Sequence, residues 1–351
     1  MAVSGGLGSW AAIVGNVLLF ALVLGLAVTV EFEAFKKSLR SRGLVIGVFS
    51  QFVFLPLFGF TMARTLLWDQ PALGIPLIIT TSSPGGSYSN WWTSLFNADL
   101  SLSVAMTTVS SILSVGFLPL NLYMYTEGAY PNGTNVRMKW GGLFLSISMV
   151  ISGIVLGLFL GRRAPKARAP LNFVGNVCGV LLVLLGFFFS SNSSAPIWDR
   201  EWKFYVALIV PCVAGLVVSL GFAKLTRLDM PQALAVAIEV CYQNTAISLA
   251  VILSSFEDDP SCASSAGSAC NVVGVASGVP TFYQFVQVFS LGILCLLAWK
   301  SGWTYAPKGT PLLTAISKSF QPTHRDPGAF REVDLDRSEE MSEMPREVEN
   351  V

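Results

Sequence analysis

Residues 231–256, PQALAVAIEVCYQNTAISLAVILSSF, form an apolar run of bilayer-crossing length that carries Glu239 near its middle and the amides Gln243 and Asn244 just behind it. A carboxylate at mid-membrane costs roughly 2.5–3.5 kcal/mol on insertion scales, so a carboxylate kept there marks an ion or substrate path. The rest of the chain has the composition such a segment needs. Of 351 residues, 53% are apolar and 12% charged, against about a quarter charged in a soluble domain. The net charge is +1, and the only histidine, His324, lies near the C-terminal end. Catalysis or metal binding built on imidazole is thereby excluded, no paired carboxylates suggest an enzyme, and no cofactor is called for. Six cysteines show no CxxC spacing; Cys178, Cys212, Cys241 and Cys295 lie in apolar runs and read as packing residues. Basic residues form short clusters between apolar runs, a pattern that gives nucleic-acid binding no support.

About 20 apolar residues cross a hydrocarbon core of roughly 30 Å as a helix. Nine segments qualify, near 10–30, 44–63, 72–97, 100–126, 140–161, 171–190, 202–222, 231–256 and 276–299. The chain therefore reads as an all-α polytopic membrane protein whose third and eighth spans are interrupted by polar residues. The first segment lacks the leading positive charge and small-residue cleavage site of a signal peptide and is expected to remain as a span.

Lys and Arg gather in cytoplasmic loops. With the N-terminus outside, ten of them fall inside: Lys36, Lys37, Arg40, Arg42, Arg162, Arg163, Lys166, Arg168, Lys224 and Arg227. The opposite loops hold five, namely Arg64, Arg137, Lys139, Arg200 and Lys203. The two glycosylation sequons, at Asn132 and Asn192, also fall outside in this orientation, which favours the secretory route and the plasma membrane. Cys262 and Cys270 lie in an outside loop, as a disulfide or, equally, as two free thiols. Past Lys300 the composition turns to Pro, Ser, Glu and Arg, so residues 1–300 are expected to form the transmembrane domain and 301–351 a disordered cytoplasmic tail.

The chain also repeats itself. Val14-Gly-Asn-Val17 opens an apolar helix in the first span, and Val174-Gly-Asn-Val177 does so in the sixth. Pro84 follows Asn16 by 68 residues, and Glu239 follows Asn176 by 63. Both halves, roughly 10–126 and 171–299, read as helix, helix, broken helix, helix. Five spans separate corresponding members, so the halves enter the membrane in opposite directions. Inverted repeats with matching broken helices point to a secondary transporter with its site at the repeat interface.

In the third span, Thr80-Thr-Ser-Ser-Pro84-Gly85-Gly86-Ser-Tyr88-Ser89-Asn90 sets a polar stretch at mid-membrane. Pro84 removes a backbone donor and Gly85 and Gly86 relax the chain, so the helix breaks here. A break at that depth must be buried in protein or line a wet cavity. It frees carbonyls from one half-helix and amides from the next, ligands for cations and anions respectively. The fourth span adds Ser103 and Thr107 on one helical face, with Ser110 and Ser111 a turn further. Helix-to-helix hydrogen bonding is the structural reading of such hydroxyls, and of Gln51 in the second span. Beside a broken helix and a lone carboxylate, the same oxygens suit a hard cation such as sodium. Gly153, Gly157 and Gly161 form a small-residue stripe that lets helices approach closely.

Three segments together resemble those of the bile acid:sodium symporter family (solute carrier family 10 type). They are Ser-Pro84-Gly-Gly-Ser-Tyr-Ser89-Asn90, Leu102-Ser-Val-Ala-Met-Thr107-Thr-Val-Ser, and Glu239-Val-Cys-Tyr-Gln243-Asn244. The resemblance covers roughly residues 10–300. It implies a core-and-panel fold of two inverted repeats, with two discontinuous helices crossing near the midplane. One sodium site would use Ser89, Asn90, Ser103, Thr107 and Glu239. A second would use Gln51, Glu239 and Gln243 with backbone oxygens near Val240 and Tyr242. Pro84, Gly85, Gly86 and Asn244 would form the crossover, with sodium the only metal and an organic anion as co-substrate. Two positions depart from the family: Cys241 stands where glycine is usual, which bears on the unwound geometry after Glu239, and Tyr88 replaces a smaller residue and would reach toward the substrate.

The expected function is therefore sodium-coupled symport of an organic anion of bile-acid or steroid-conjugate type by alternating access. Two alternatives stand beside it. One is a sodium- or proton-coupled carrier of a small carboxylate such as pyruvate. The other is a non-transporting receptor on the same scaffold, against which the retention of so many costly polar groups argues.

Overall fold

In a computed structural model of the chain, residues 4–29, 41–86, 88–131, 140–191, 193, 196–256, 272–323 and 326–333 are described. The sequons at Asn132 and Asn192, the cysteines Cys262 and Cys270, and Lys36, Lys37 and Arg40 lie outside them.

The membrane-spanning part is helical throughout. α1 (Ser4–Ala27) and α2 (Arg42–Leu66) are followed by the half-helices α3 (Pro71–Thr81) and α4 (Tyr88–Leu95). Next come α5 (Leu100–Ala129), α6 (Trp140–Arg163), α7 (Arg168–Ser191) and α8 (Trp202–Leu225), then the half-helices α9 (Met230–Cys241) and α10 (Thr245–Ser255), and finally α11 (Val272–Ser301). Seven of these are long and apolar enough to cross a membrane. The two broken pairs occupy the places of the expected third and eighth spans, and the order continuous, continuous, broken, continuous occurs in both halves.

Local chemistry explains the irregular points. Pro56 has no N–H to give the Phe52 carbonyl four residues earlier. α2 loosens accordingly to a π-helical stretch over Ser50–Phe54, and the Asn121 amide of α5 donates to the freed Phe52 carbonyl at 3.1 Å. The broken pairs lie at the centre. Every residue from 73 to 86 and from 233 to 256 is buried. A helix that is apolar on all sides belongs inside a bundle rather than at its surface, and that explains why residues 231–256 show no polar face.

α1 packs against α6 on one side and α7 on the other. The glycine stripe of α6 faces α1, with Gly157 beneath Ala27 and Gly153 beneath Val23. α1 meets α7 at Gly25 and Gly175, where a Cβ on Gly25 would stand 2.6 Å from the Leu171 carbonyl oxygen and 2.7 Å from the Gly175 Cα. Backbone cannot yield as a side chain can, so Gly25→Leu is expected to destabilise the protein by about 1–3 kcal/mol or more. Thermal unfolding in detergent should show a lowered midpoint, whereas Gly221→Ala, within α8 and with nothing within 4 Å of the added methyl, should not lower it. An unmoved Gly25→Leu midpoint would contradict this crossing.

The segment past α11 is not the unstructured tail its composition suggests, at least over its first part. It forms α12 (Leu312–Ser317) and an antiparallel pair, β1 (Ser319–Thr323) with β2 (Asp326–Val333). Ala306, Ala315 and Phe320 cluster with Trp299 and Tyr305, and the Lys224 ammonium lies 4.4 Å from the centre of the Trp303 ring. Burial, then the charges of Asp99 and Asp229, push the Tyr305 phenol above its ordinary range. These aromatics let a polar stretch order by docking on the helix ends instead of building a core of its own.

Candidate ion and substrate site at the crossing of two broken helices

The two breaks meet. The Gly86 N–H donates to the Tyr242 carbonyl at 2.8 Å and the Asn244 N–H to the Pro84 carbonyl at 2.9 Å, so Gly85 and Gln243 pair as an isolated antiparallel bridge. Peptide groups released from helical bonding thus satisfy one another across the crossing, as buried backbone must. Gln287 of α11 holds the Gln243 peptide from both sides: its Oε1 accepts from the Gln243 N–H at 3.0 Å and its Nε2 donates to the Gln243 carbonyl at 3.2 Å. Gln284 donates to the Tyr242 hydroxyl and accepts from the Thr245 hydroxyl, each at 2.6 Å. Sequence reasoning missed both glutamines; two amides three apart inside an apolar span were the signal.

Glu239, in the last turn of α9, is fully buried. Its Oε2 accepts from Ser89 Oγ at 2.6 Å and from Ser103 Oγ at 3.2 Å, and its Oε1 accepts from Thr107 Oγ1 at 2.7 Å. Asn90 Oδ1 shares two of these hydroxyls, 2.8 Å from Ser103 Oγ and 3.4 Å from Thr107 Oγ1. Ser89 Oγ also reaches the Gly86 carbonyl, and Thr107 Oγ1 the Ser103 carbonyl. Three hydroxyl protons are thus shared among three side-chain acceptors, the two Glu239 oxygens and Asn90 Oδ1, while the Gly86 carbonyl also takes the Ser89 N–H at 3.0 Å. A buried carboxylate set among hydroxyl and amide oxygens, with no Lys or Arg among its hydrogen-bond partners within the described residues, is chemically matched to a cation. Thr93, which the sequence did not single out, supports it by donating to the Ser89 carbonyl at 2.9 Å and to Ser103 Oγ at 3.2 Å. Ser110 Oγ accepts from the Gly85 N–H at 3.3 Å.

All five residues of the first expected set are thus assembled. Of the second set, Val240, Tyr242 and Gln243 follow Glu239 along the end of α9 and the break, and Gln51 lies on α2. Gln51 is fully buried in the π-helical stretch with neither amide atom hydrogen-bonded, and Gln243 Oε1 is likewise without a partner. The Val240 carbonyl accepts from Gln243 Nε2 at 2.8 Å and the Tyr242 carbonyl from Gly86, so each keeps one lone pair. Asn244 caps α10, its Oδ1 accepting from the Ile247 N–H at 3.1 Å, while its Nδ2 has no partner.

Clefts flank the crossing. One of about 470 Å³ opens between α1, α5 and α6, with Asn90, Thr107 and Ser111 on its wall. Another of about 250 Å³ is lined by Gly86, Tyr88, Asn244, Thr245 and Gln284 on one side and Leu22 and Gly179 on the other. The Tyr88 hydroxyl crosses this second cleft to donate to the Asn176 carbonyl of α7 at 3.0 Å. Cys241 leaves the crossover intact: its side chain turns toward α8, with its Sγ 3.5 Å from Cys212 Sγ.

Two broken helices crossing inside a helical bundle, with a carboxylate ringed by hydroxyls at the crossing, define a polytopic secondary transporter. The chain belongs to the sodium bile acid symporter family, whose model matches residues 16–193, and it is accordingly a transporter and not an enzyme. That match ends before α8, so for Glu239 the structure carries the argument. The chain is 28% identical to the ileal sodium/bile acid cotransporter of Oryctolagus cuniculus over 247 residues, 70% of either chain. It is 29% identical to the P3 protein of Homo sapiens over 244 residues, 67% of this chain and 49% of that one. To the hepatic sodium/bile acid cotransporter of Homo sapiens it is 31% identical over 151 residues, 42% of this chain and 43% of that one.

Proposed function

We propose that the protein is a sodium-coupled symporter of an organic anion of bile-acid or steroid-conjugate type. The buried Glu239 carboxylate ringed by hydroxyl oxygens carries the reading, and the names of the ileal and hepatic relatives agree with it. One sodium ion is held by Ser89, Asn90, Ser103, Thr107 and Glu239. A second lies toward Gln51 and Gln243, whose side-chain oxygens lack hydrogen bonds. The anion sits beside the crossing, where the N-termini of α4 and α10 present partial positive charge. In this reading nine crossings divide into a panel of α1, α6 and α7 and a core of the remaining helices. The core rocks against the panel to expose the crossing to either side in turn. The N-terminus is outside at the plasma membrane, Asn132 and Asn192 are glycosylated, and residues 301–351 lie on the cytoplasmic side.

Uptake of labelled taurocholate and of a steroid sulfate, in sodium and with sodium replaced by choline, tests the reading. Accumulation in sodium and only background in choline is expected. Equal uptake in both media would refute sodium coupling, and uptake of pyruvate without either larger anion would move the substrate to small carboxylates.

A further inference from the structure

α4 carries Ser89 and Asn90, and α5 carries Ser103 and Thr107, so the turn at 96–99 joins the two helices that build most of the cation cluster. α4 has only eight residues, about 12 Å of helix at 1.5 Å per residue. Helices this short do not hold themselves in place, and tertiary contacts at their ends decide where they sit. At its N-terminal end α4 is tied to the crossing through Gly86. At its C-terminal end the tie is Asn97, which adopts a left-handed backbone with φ 53° and is 3% exposed.

Three polar groups of Asn97 engage the segment that follows α11. Its carbonyl accepts from the Tyr305 N–H at 2.8 Å, its Nδ2 donates to the Ala315 carbonyl at 2.5 Å, and its Oδ1 accepts from the Phe320 N–H at 2.8 Å. The grip extends over residues 305–320, and Trp299 steadies it by donating from Nε1 to the Thr310 carbonyl at 2.9 Å. On the other side of the turn, Asp99 caps α5 by accepting from the Leu102 N–H at 3.0 Å, and its own N–H donates to the Pro231 carbonyl, at the start of α9, at 3.2 Å. The turn therefore touches α4, α5 and α9, the three helices whose side chains meet at Glu239.

We propose that Asn97 is a positioning residue for the cation cluster, through which the C-terminal segment 302–320 sets the spacing of Ser89 and Asn90 against Ser103 and Thr107 and thereby the affinity for sodium. The proposal rests on the sodium-coupled reading above. Cation selectivity depends on oxygen positions, so a small tilt of α4 weakens sodium binding before it disturbs an anion held elsewhere at the crossing. The post-α11 segment is in this view part of the transport machinery, and whatever pulls on the chain beyond Phe320 acts on the ion site.

The test is sodium activation of uptake in the full-length protein, with surface amount measured in parallel. Asn97→Ala loses two buried hydrogen bonds and is expected to raise the half-activating sodium concentration about five- to tenfold. Truncation after Ser317 removes the β1–β2 pair and, of the partners of Asn97, only the Phe320 donor, and is expected to raise it about two- to threefold. In both, the KM for the anion at saturating sodium should stay unchanged. Asn97→Gly relieves the backbone but lacks the amide, and it should shift sodium activation as alanine does. Recovery of normal sodium activation in Asn97→Gly would assign the effect to backbone strain and overturn the proposal. So would reduced surface amount with unshifted half-activation in Asn97→Ala and the truncation. Sodium-independent uptake by the unaltered protein would defeat the symport reading itself and this proposal with it.

Discussion

Replacing Glu239 with glutamine is expected to abolish sodium-driven uptake while the protein still reaches the membrane. The substitution keeps the size of the side chain and one acceptor oxygen for the hydroxyls of Ser89, Ser103 and Thr107, so folding is largely spared. What it removes is the charge that the proposed sodium ion would face. Deleting one partner of a buried ion pair costs about 3–5 kcal/mol, which corresponds to a loss of roughly a hundredfold or more in sodium affinity. Glu239→Ala should be at least as severe, because three hydroxyls then lose their acceptor and a cavity opens beneath them. Sodium titration of uptake, normalised to surface-labelled protein, measures both. Full sodium-dependent uptake by Glu239→Gln would remove the carboxylate from the ion site.

The second large effect is expected at Gly85. A Cβ there would overlap Glu239 Oε1, with the carboxylate carbon 2.8 Å away. In Gly85→Ala either the carboxylate leaves its three hydroxyls or the Gly85–Gln243 bridge opens. Overpacking of this kind costs about 1–3 kcal/mol, and because the strain falls on the cluster itself, sodium-driven uptake should drop about fivefold or more. Gly116→Ala on α5, with nothing within 4 Å of its added methyl, is the matched control and should transport normally. Equal uptake by the two variants would mean that the close approach of Gly85 to Glu239 is not needed for transport.

Much of this architecture is legible along the chain because a bilayer restricts backbone so strongly. With no water to bond exposed N–H and C=O groups, spans must be helices of about bilayer thickness, and the expected limits of 202–222 and 100–126 fall inside α8 and α5. The first break is legible for the same reason, since Pro84-Gly-Gly cannot continue a helix. The second has neither proline nor glycine, and only Gln243 and Asn244 announce it. In that light the Cys241 departure proves mild: the residue ends α9 in helical form and the unwinding falls one step later, at Tyr242.

Long-range partnerships were legible only where the family resemblance carried them. Nothing near Gln287 in the chain says that its amide holds the Gln243 peptide, 44 residues away. Low hydropathy past Lys300 cannot reveal that Asn97 supplies a docking point more than 200 residues earlier.

By itself the sequence determined which segments span, where two of them break, and which costly polar residues stand at membrane depth, because hydropathy and backbone hydrogen bonding act locally. The family resemblance already grouped Ser89, Asn90, Ser103 and Thr107 with Glu239; the tertiary structure decided how they hydrogen-bond around its carboxylate and that the post-α11 segment grips the turn between α4 and α5. Those outcomes depend on side-chain geometry across helices, where a buried carboxylate or a freed peptide group takes whichever partner the packed bundle brings within hydrogen-bonding distance.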